Sequence, residues 1–255
     1  MSKRIAALVA YLVMVAVNGL AVTLPINGVE TGDVSDRYGS LFAPAGFTFS
    51  IWGVIYTLLG IYSVYQLIRT NELIEAITIP YIASSVLNTI WILCWHYDLI
   101  WLSVLVMIGI LISLIRIVDT IAAHGVTIGN DPARYLMQRA PFSVYFGWIC
   151  VATVANVSTF LISVGWRGSG FSEEIWTVLT LVVAAAIGLA ATTVNRDVAY
   201  GLVFVWAFFG IRSKHLAVDG WNGEYGAVIA AATVLLIVLV VGATAALFRD
   251  VRQST

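Results

Sequence analysis

Eight apolar runs, most of them about twenty residues long, follow one another along this chain with only short polar segments between. They settle the class of fold before any motif is considered. A bilayer's hydrocarbon core is about 30 Å thick, and a helix needs about 20 apolar residues to cross it. Inside that core every backbone N–H and C=O must be paired within the protein, which leaves helices and closed barrels. A barrel would show segments of about ten residues alternating with period two; the runs here are continuous. The expected fold class is an all-α membrane protein. The chain is 60% hydrophobic and 11% charged, against about 25% charged residues in soluble domains. Net charge is −1 and there is no long basic run, so the lipid bilayer is an expected partner and nucleic acid is not.

The runs predict helices at 5–24, 46–68, 76–96, 98–119, 138–163, 175–194, 198–213 and 225–247. The seventh is short and flanked by Asp197 and Arg212, so seven helices are the alternative to eight. Charge favours eight. With the N-terminus in the cytoplasm and the helices alternating, the inside collects Lys3, Arg4, Arg69, Arg116, Arg134, Arg139, Arg196, Arg249 and Arg252. The outside collects Arg37, Arg167, Arg212 and Lys214, a distribution that obeys the positive-inside rule. Both termini are then cytoplasmic. The first run exceeds the 7–15 residues of a signal-peptide core and lacks a small-residue cleavage site, so it reads as a retained helix. Short loops and no transit peptide suit a prokaryotic cytoplasmic membrane.

Two connections are long. Pro25–Ala45, outside, carries Glu30, Asp33 and Asp36 and feeds directly into the second helix, which makes it a candidate lid. Residues 120–137, inside, read as a polar linker. Near Gly165–Ser172 a boundary separates residues 1–165, a five-helix bundle, from residues 166–255, three appended helices. Ala184–Thr193 in the appended part is a run of small residues that lets helix backbones approach closely.

No charged residue lies deep in an apolar run, which argues against an ion-coupled pump. The sequence holds no hydrolase, P-loop or metalloprotease motif and no nucleophile beside a base. No catalytic or metal-ligating set is therefore assigned, and no obligatory cofactor. Cys94 and Cys150 read as buried free thiols.

The informative residues are uncharged. Asn88, Trp91 and Trp95 share one face of the third helix, and Trp52 and Tyr56 share one face of the second. Tyr145, Trp148, Ala152 and Ala155 share a face of the fifth, with Asn156 beside it. An amide in hydrocarbon must find a partner, so Asn18, Asn88 and Asn156 point inward. Several indoles around a few amides make a slot for a flat, mostly apolar ligand with polar edges. The plainer alternative makes the tryptophans interfacial anchors and the asparagines interhelical glue. Trp95, Trp101, Trp166 and Trp221 lie near predicted ends, where anchoring is expected. His96 reads either as a satisfied interfacial residue or as a haem-iron ligand.

The stretch Ala43–Tyr56 (APAGFTFSIWGVIY), the Asn88-x-x-Trp91 pair and the Trp148 to Asn156 spacing resemble, in order, the motifs of the TspO/MBR family of translocator or tryptophan-rich sensory proteins. The resemblance covers about residues 5–163. It implies a five-helix bundle enclosing a cavity that opens toward the loop after the first helix. It implies binding of porphyrins or haem, with Trp52, Tyr56, Asn88, Trp91, Trp148 and Asn156 as the ligand-binding set. Light-dependent porphyrin breakdown and a homodimer are also within what the family implies. The chain departs from the pattern at Ala43-Pro44-Ala45-Gly46, where the family often has Pro-Pro-x-Trp, and at Val144-Tyr145, where it has Pro-Tyr. The sterol-type pattern is absent from 157–164. The expected function is binding of a tetrapyrrole-like hydrophobic ligand for sensing or handling; the alternative is a small-molecule transporter.

Overall fold

The structure is a computed structural model that describes all residues except Pro25, Arg167, Ser169 and 253–255, and only the backbone of Val251 and Arg252. Arg167 and the Arg252 side chain, both used in the charge count, lie outside the described residues. The described chain is all-helical: α1 (Ser2–Thr23), α2 (Thr31–Arg37), α3 (Ile51–Ile68), α4 (Glu72–His96), α5 (Ile100–Ala123), α6 (Pro132–Arg134), α7 (Ala140–Ser163), α8 (Glu173–Asn195), α9 (Val198–Leu216) and α10 (Gly226–Arg252). A 3-10 turn, Gly46–Ser50, leads into α3, and a π turn, Tyr135–Arg139, leads into α7.

Eight of these helices are the eight predicted ones. Seven are long and apolar enough to cross a membrane, and α9 is the exception. It nevertheless runs as one unbroken helix between the two ends of the bundle. Asp197 before its first turn bonds Arg139 at the start of α7, and His215 in its last turn bonds the carbonyl of Leu41. Its hydropathy is lowered by Arg212, Ser213, Lys214 and His215, gathered near its C-terminal end, while the rest of the helix is apolar and packs on α7, α8 and α10. Gly188, within the small-residue run of α8, lets the Phe204 ring of α9 approach so closely that a Cβ there would lie 2.6 Å from it.

The start of α1 and the last described turns of α10 lie at one end. Arg4 of α1 donates to the carbonyl of Gln66 and to Thr70 Oγ1 at the C-terminal end of α3, at 2.9 and 2.7 Å. Asp250 of α10 accepts from Gly129 N at 3.0 Å, after α5. Gln138 Nε2 donates to Tyr65 OH at 2.9 Å, which ties the same end of α3 to α7.

That end also holds the strongest polar cluster among the described residues. Arg139 and Asp197, 3% and 2% exposed, pair at 3.0 Å. Arg139 also donates to the carbonyls of Val126 and Asn195. Asp197 accepts from Ser143, from Tyr135 OH at 3.0 Å and from Tyr200 N at 3.3 Å. Each charge is thus fully hydrogen-bonded, which burial of an ion pair requires. The cluster fastens the first five long helices to the last three. The sequence reading puts both residues harmlessly at helix ends, because only the tertiary fold encloses them.

The long connection after α1 is not irregular. Its 31–37 segment forms α2, started by a reciprocal capping box between Glu30 and Asp33. The linker 120–137 is likewise shorter than expected: α5 extends to Ala123 and helical structure resumes at Pro132.

The segment entering α3 leans on α9. Ala45 N donates to the Gly210 carbonyl at 3.1 Å, and Trp206 Nε1 donates to the Thr48 carbonyl at 2.9 Å. A Cβ on Gly210 would lie 2.0 Å from Thr48 Oγ1. Gly210→Ala is therefore expected to lower stability by about 1–3 kcal/mol through overpacking. Thermal unfolding in detergent checks this; an unchanged midpoint would show that the two segments can separate without cost.

Candidate functional site

Trp52, one residue into α3, is the centre of an aromatic cluster. It stacks on Tyr56 with ring centroids 5.4 Å apart and planes 21° apart, as the i, i+4 spacing allows. It meets Trp91 of α4 at 6.3 Å, Tyr145 of α7 at 6.0 Å and Trp148 of α7 at 6.3 Å. Trp91 stacks on Trp95 at 5.7 Å, and Phe49 meets Trp148 edge-on at 5.9 Å. Three helices and the turn before α3 thus converge on one patch of rings.

The amides hold this patch together. Trp91 Nε1 donates to Asn156 Oδ1 at 3.0 Å, and Asn156 Nδ2 donates to Ser103 Oγ on α5 at 2.9 Å. Asn18 Nδ2 donates to Asn88 Oδ1 at 2.9 Å, and Asn88 Nδ2 to Tyr145 OH at 3.1 Å. All three asparagines point inward, and each joins helices. Asn18 and Ser103 complete these networks. Ser103 was not singled out from the sequence, since a serine in an apolar helix gives no signal until its partner is known.

Two cavities flank Trp52. One, a chamber of about 40 Å³, is lined by Trp52, Trp91, Trp95, Trp148, Ala152, Ala155 and Asn156, with Phe49, Pro44 and Thr31 among the rest. The other, a cleft of about 540 Å³ between α1, α2 and α3, is lined by Asn18, Trp52, Tyr56 and Phe49 and by the carboxylates Glu30, Asp33 and Asp36. Of the six expected ligand residues, Trp52, Trp91, Trp148 and Asn156 line the chamber, and Trp52 and Tyr56 line the cleft. Asn88 lines neither. The chamber is far below the roughly 300–1,000 Å³ typical of ligand sites, whereas the cleft lies within that range. Trp148 is 3% exposed and its Nε1 has no partner, an unspent donor on the chamber wall.

The segment 26–45 closes over these spaces and is fastened at both ends. His96 Nδ1 faces the Ile26 carbonyl at 3.1 Å, which makes Nδ1 the donor. Nε2 then accepts from Thr31 Oγ1 at 3.0 Å. Both ring nitrogens are occupied, so His96 is a fastening of this segment; the haem-ligand alternative would require Nε2 to leave Thr31. Trp95 Nε1 donates to the Thr31 carbonyl at 3.0 Å, so Trp95 serves the segment as well as the patch and is buried, not an interfacial anchor. Tyr38 OH donates to Asp98 at 2.7 Å. Partial burial, then the Asp98 carboxylate it bonds, push the Tyr38 phenol up to about 12, so it remains a donor at neutral pH. At the other end His215 bonds the Leu41 carbonyl at 2.8 Å, and Lys214 pairs with Asp36.

The fold and the site together define a multi-pass α-helical membrane protein with an aromatic-lined cavity beneath a fastened loop. The chain belongs to the TSPO-like protein family, whose description matches residues 4–245. That match runs through all eight long helices, beyond the residues 5–163 that carry the motifs. No curated protein and no solved structure matches the chain.

Proposed function

We propose that the protein binds a flat, mostly apolar ligand of the tetrapyrrole class at the Trp52 wall, for sensing or handling of that ligand. The observation that carries this reading is the convergence of Trp52, Tyr56, Trp91 and Trp148 beside a cleft of about 540 Å³. Planar rings gain most from planar partners, by stacking or edge contacts of about 0.5–1.5 kcal/mol per pair beyond burial. Trp148 lines the chamber behind Trp52, where its free N–H is open to an acceptor on a ligand edge that reaches past Trp52. Asn88 and Asn156 hold the helices that carry the rings. The segment 26–45 is the lid, and its end of the bundle faces outside, since the opposite end carries most of the basic residues. We also propose a prokaryotic cytoplasmic membrane as its location, which the short loops between the helices suit.

Titration of the detergent-purified protein with protoporphyrin IX and haem, followed by tryptophan quenching and the Soret band, tests the reading. One-site saturation is expected, with Trp148→Phe raising Kd about fivefold to tenfold, the worth of one hydrogen bond. Absence of saturable binding by either compound would overturn it. Uptake into proteoliposomes separates a binder, which saturates without accumulation, from a transporter.

A further inference from the structure

Two histidines fasten the lid, and they differ in how they meet a proton. His96 has both ring nitrogens engaged: Nδ1 donates to the Ile26 carbonyl, and Nε2 accepts from Thr31 Oγ1. A second proton on this ring still finds Thr31 Oγ1 as its acceptor, since a hydroxyl accepts as well as donates. His215, in the last turn of α9, is 0% exposed. Its Nε2 lies 2.8 Å from the Leu41 carbonyl oxygen, which can only accept, so the neutral ring carries its proton there. Nδ1 is then bare, and it has no hydrogen-bond partner among the described residues.

The surroundings of Nδ1 suit the neutral ring and not the cation. Trp221 lies against the His215 ring, with centroids 6.2 Å apart and planes 28° apart, and Tyr225 meets it edge-on at 5.8 Å. Trp221 Nε1 is itself a buried donor without a partner, so it cannot accept. An indole face attracts a cation, but it does not replace an acceptor for a fully buried N–H. The charged groups that bear on the ring are Lys214 of α9 and Glu174 of α8. Lys214 repels a cation and is paired with Asp36 of α2; Glu174 accepts from Ala227 N at 2.8 Å. Glu173 and Glu224 act on the neighbouring Tyr225. The turn that His215 holds contains Gly39 at φ +62°, which glycine adopts without strain, and buries Leu41 and Phe42 beside Trp166 and Trp176. We propose that His215 is a proton-operated latch of the lid: neutral, it holds the turn 39–42 through the Leu41 carbonyl, and protonated, it lacks an acceptor in the closed position and releases the turn. The open lid leaves the ring near the ordinary imidazole value of about 6.5. Closure is thus fully stable above that pH and is lost as the pH falls below it, by roughly tenfold per pH unit for one proton.

Amide hydrogen exchange of residues 39–43 in nanodiscs, each rate divided by the intrinsic rate at that pH, reads the opening directly. From about pH 7.5 to about pH 5.0 the opening of the native protein should rise about 30-fold. His215→Gln keeps a side-chain N–H for the Leu41 carbonyl but does not titrate, so its rise should stay below about twofold, whereas His96→Gln should leave the native rise in place. A native rise below about threefold, or one that survives in His215→Gln, overturns the latch. Nitrogen-15 spectra of the histidine rings in the native protein give a second reading that needs no variant. His96 and His124 carry the proton on Nδ1, facing the carbonyls of Ile26 and Thr120, so of the three histidines only His215 should show a bare Nδ1 and a protonated Nε2 at neutral pH. That ring should gain its second proton together with the loss of protection at 39–43. Three rings all protonated at Nδ1, or a His215 ring that becomes a cation while 39–43 stay protected, would equally defeat the proposal.

Discussion

Replacing Arg139 with methionine is expected to remove about 3–5 kcal/mol of stability. Asp197 would remain 2% exposed without its cation, and a buried charge stripped of its partner costs about that much. The carbonyls of Val126 and Asn195 would lose donors as well. Methionine roughly preserves the volume of the arginine stem, so the loss reports charge and not a cavity. The double variant R139M/D197N should recover more than half of it, because the uncompensated charge is gone while an acceptor for Tyr135 and Ser143 remains. Unfolding of the purified protein in mixed micelles with increasing denaturing detergent measures both. A single variant within about 1 kcal/mol of the native protein would show that the cluster is hydrated in the bilayer and does not fasten the two halves.

Trp52→Ala should separate binding from folding. Trp52 is half-buried and faces both cavities, so its removal merges chamber and cleft and takes away four ring contacts at once. A central aromatic anchor of this kind is worth about 2 kcal/mol or more in binding, or roughly 30-fold in Kd. The midpoint of thermal unfolding should move less than for Asn88→Ala. Asn88 lines neither cavity but joins α1, α4 and α7, and its loss removes one of the two acceptors of Asn18 Nδ2 and the donor to the buried Tyr145 hydroxyl. Porphyrin titration and thermal melts of the two variants give the comparison. If Trp52→Ala binds as tightly as the native protein, the cleft is not the site.

Much of this was open to reading in one dimension, and the boundary is instructive. Long apolar runs fix membrane helices because an unpaired backbone group in lipid costs several kcal/mol, whatever the neighbours are. The i, i+3 and i, i+7 spacing placed Asn88, Trp91 and Trp95 on one face, and a polar side chain in hydrocarbon can turn only inward. That much needs no knowledge of partners. The capping box of α2 went unread because Glu-x-x-Asp is an uncommon form of it, so the segment looked like loop. Helix α9 went half-read for a different reason. Arg212, Ser213, Lys214 and His215 near its C-terminal end lower its hydropathy, and only the packing against α7, α8 and α10 shows where those residues end up.

The sequence by itself determined the class of protein, seven of the eight long helices, the inward asparagines and the aromatic faces, since each follows from local chemistry in a bilayer. Only the tertiary structure decided which faces meet. It brought Arg139 to Asp197 across 58 residues, His96 to the lid across 65 or more, and Trp206 to Thr48 across 158. It also divided the space around Trp52 into a small chamber and a larger cleft with an acidic mouth. Such pairings are set by the packing of whole helices, in which a residue's partner depends on every contact between them, and no spacing along one chain encodes them.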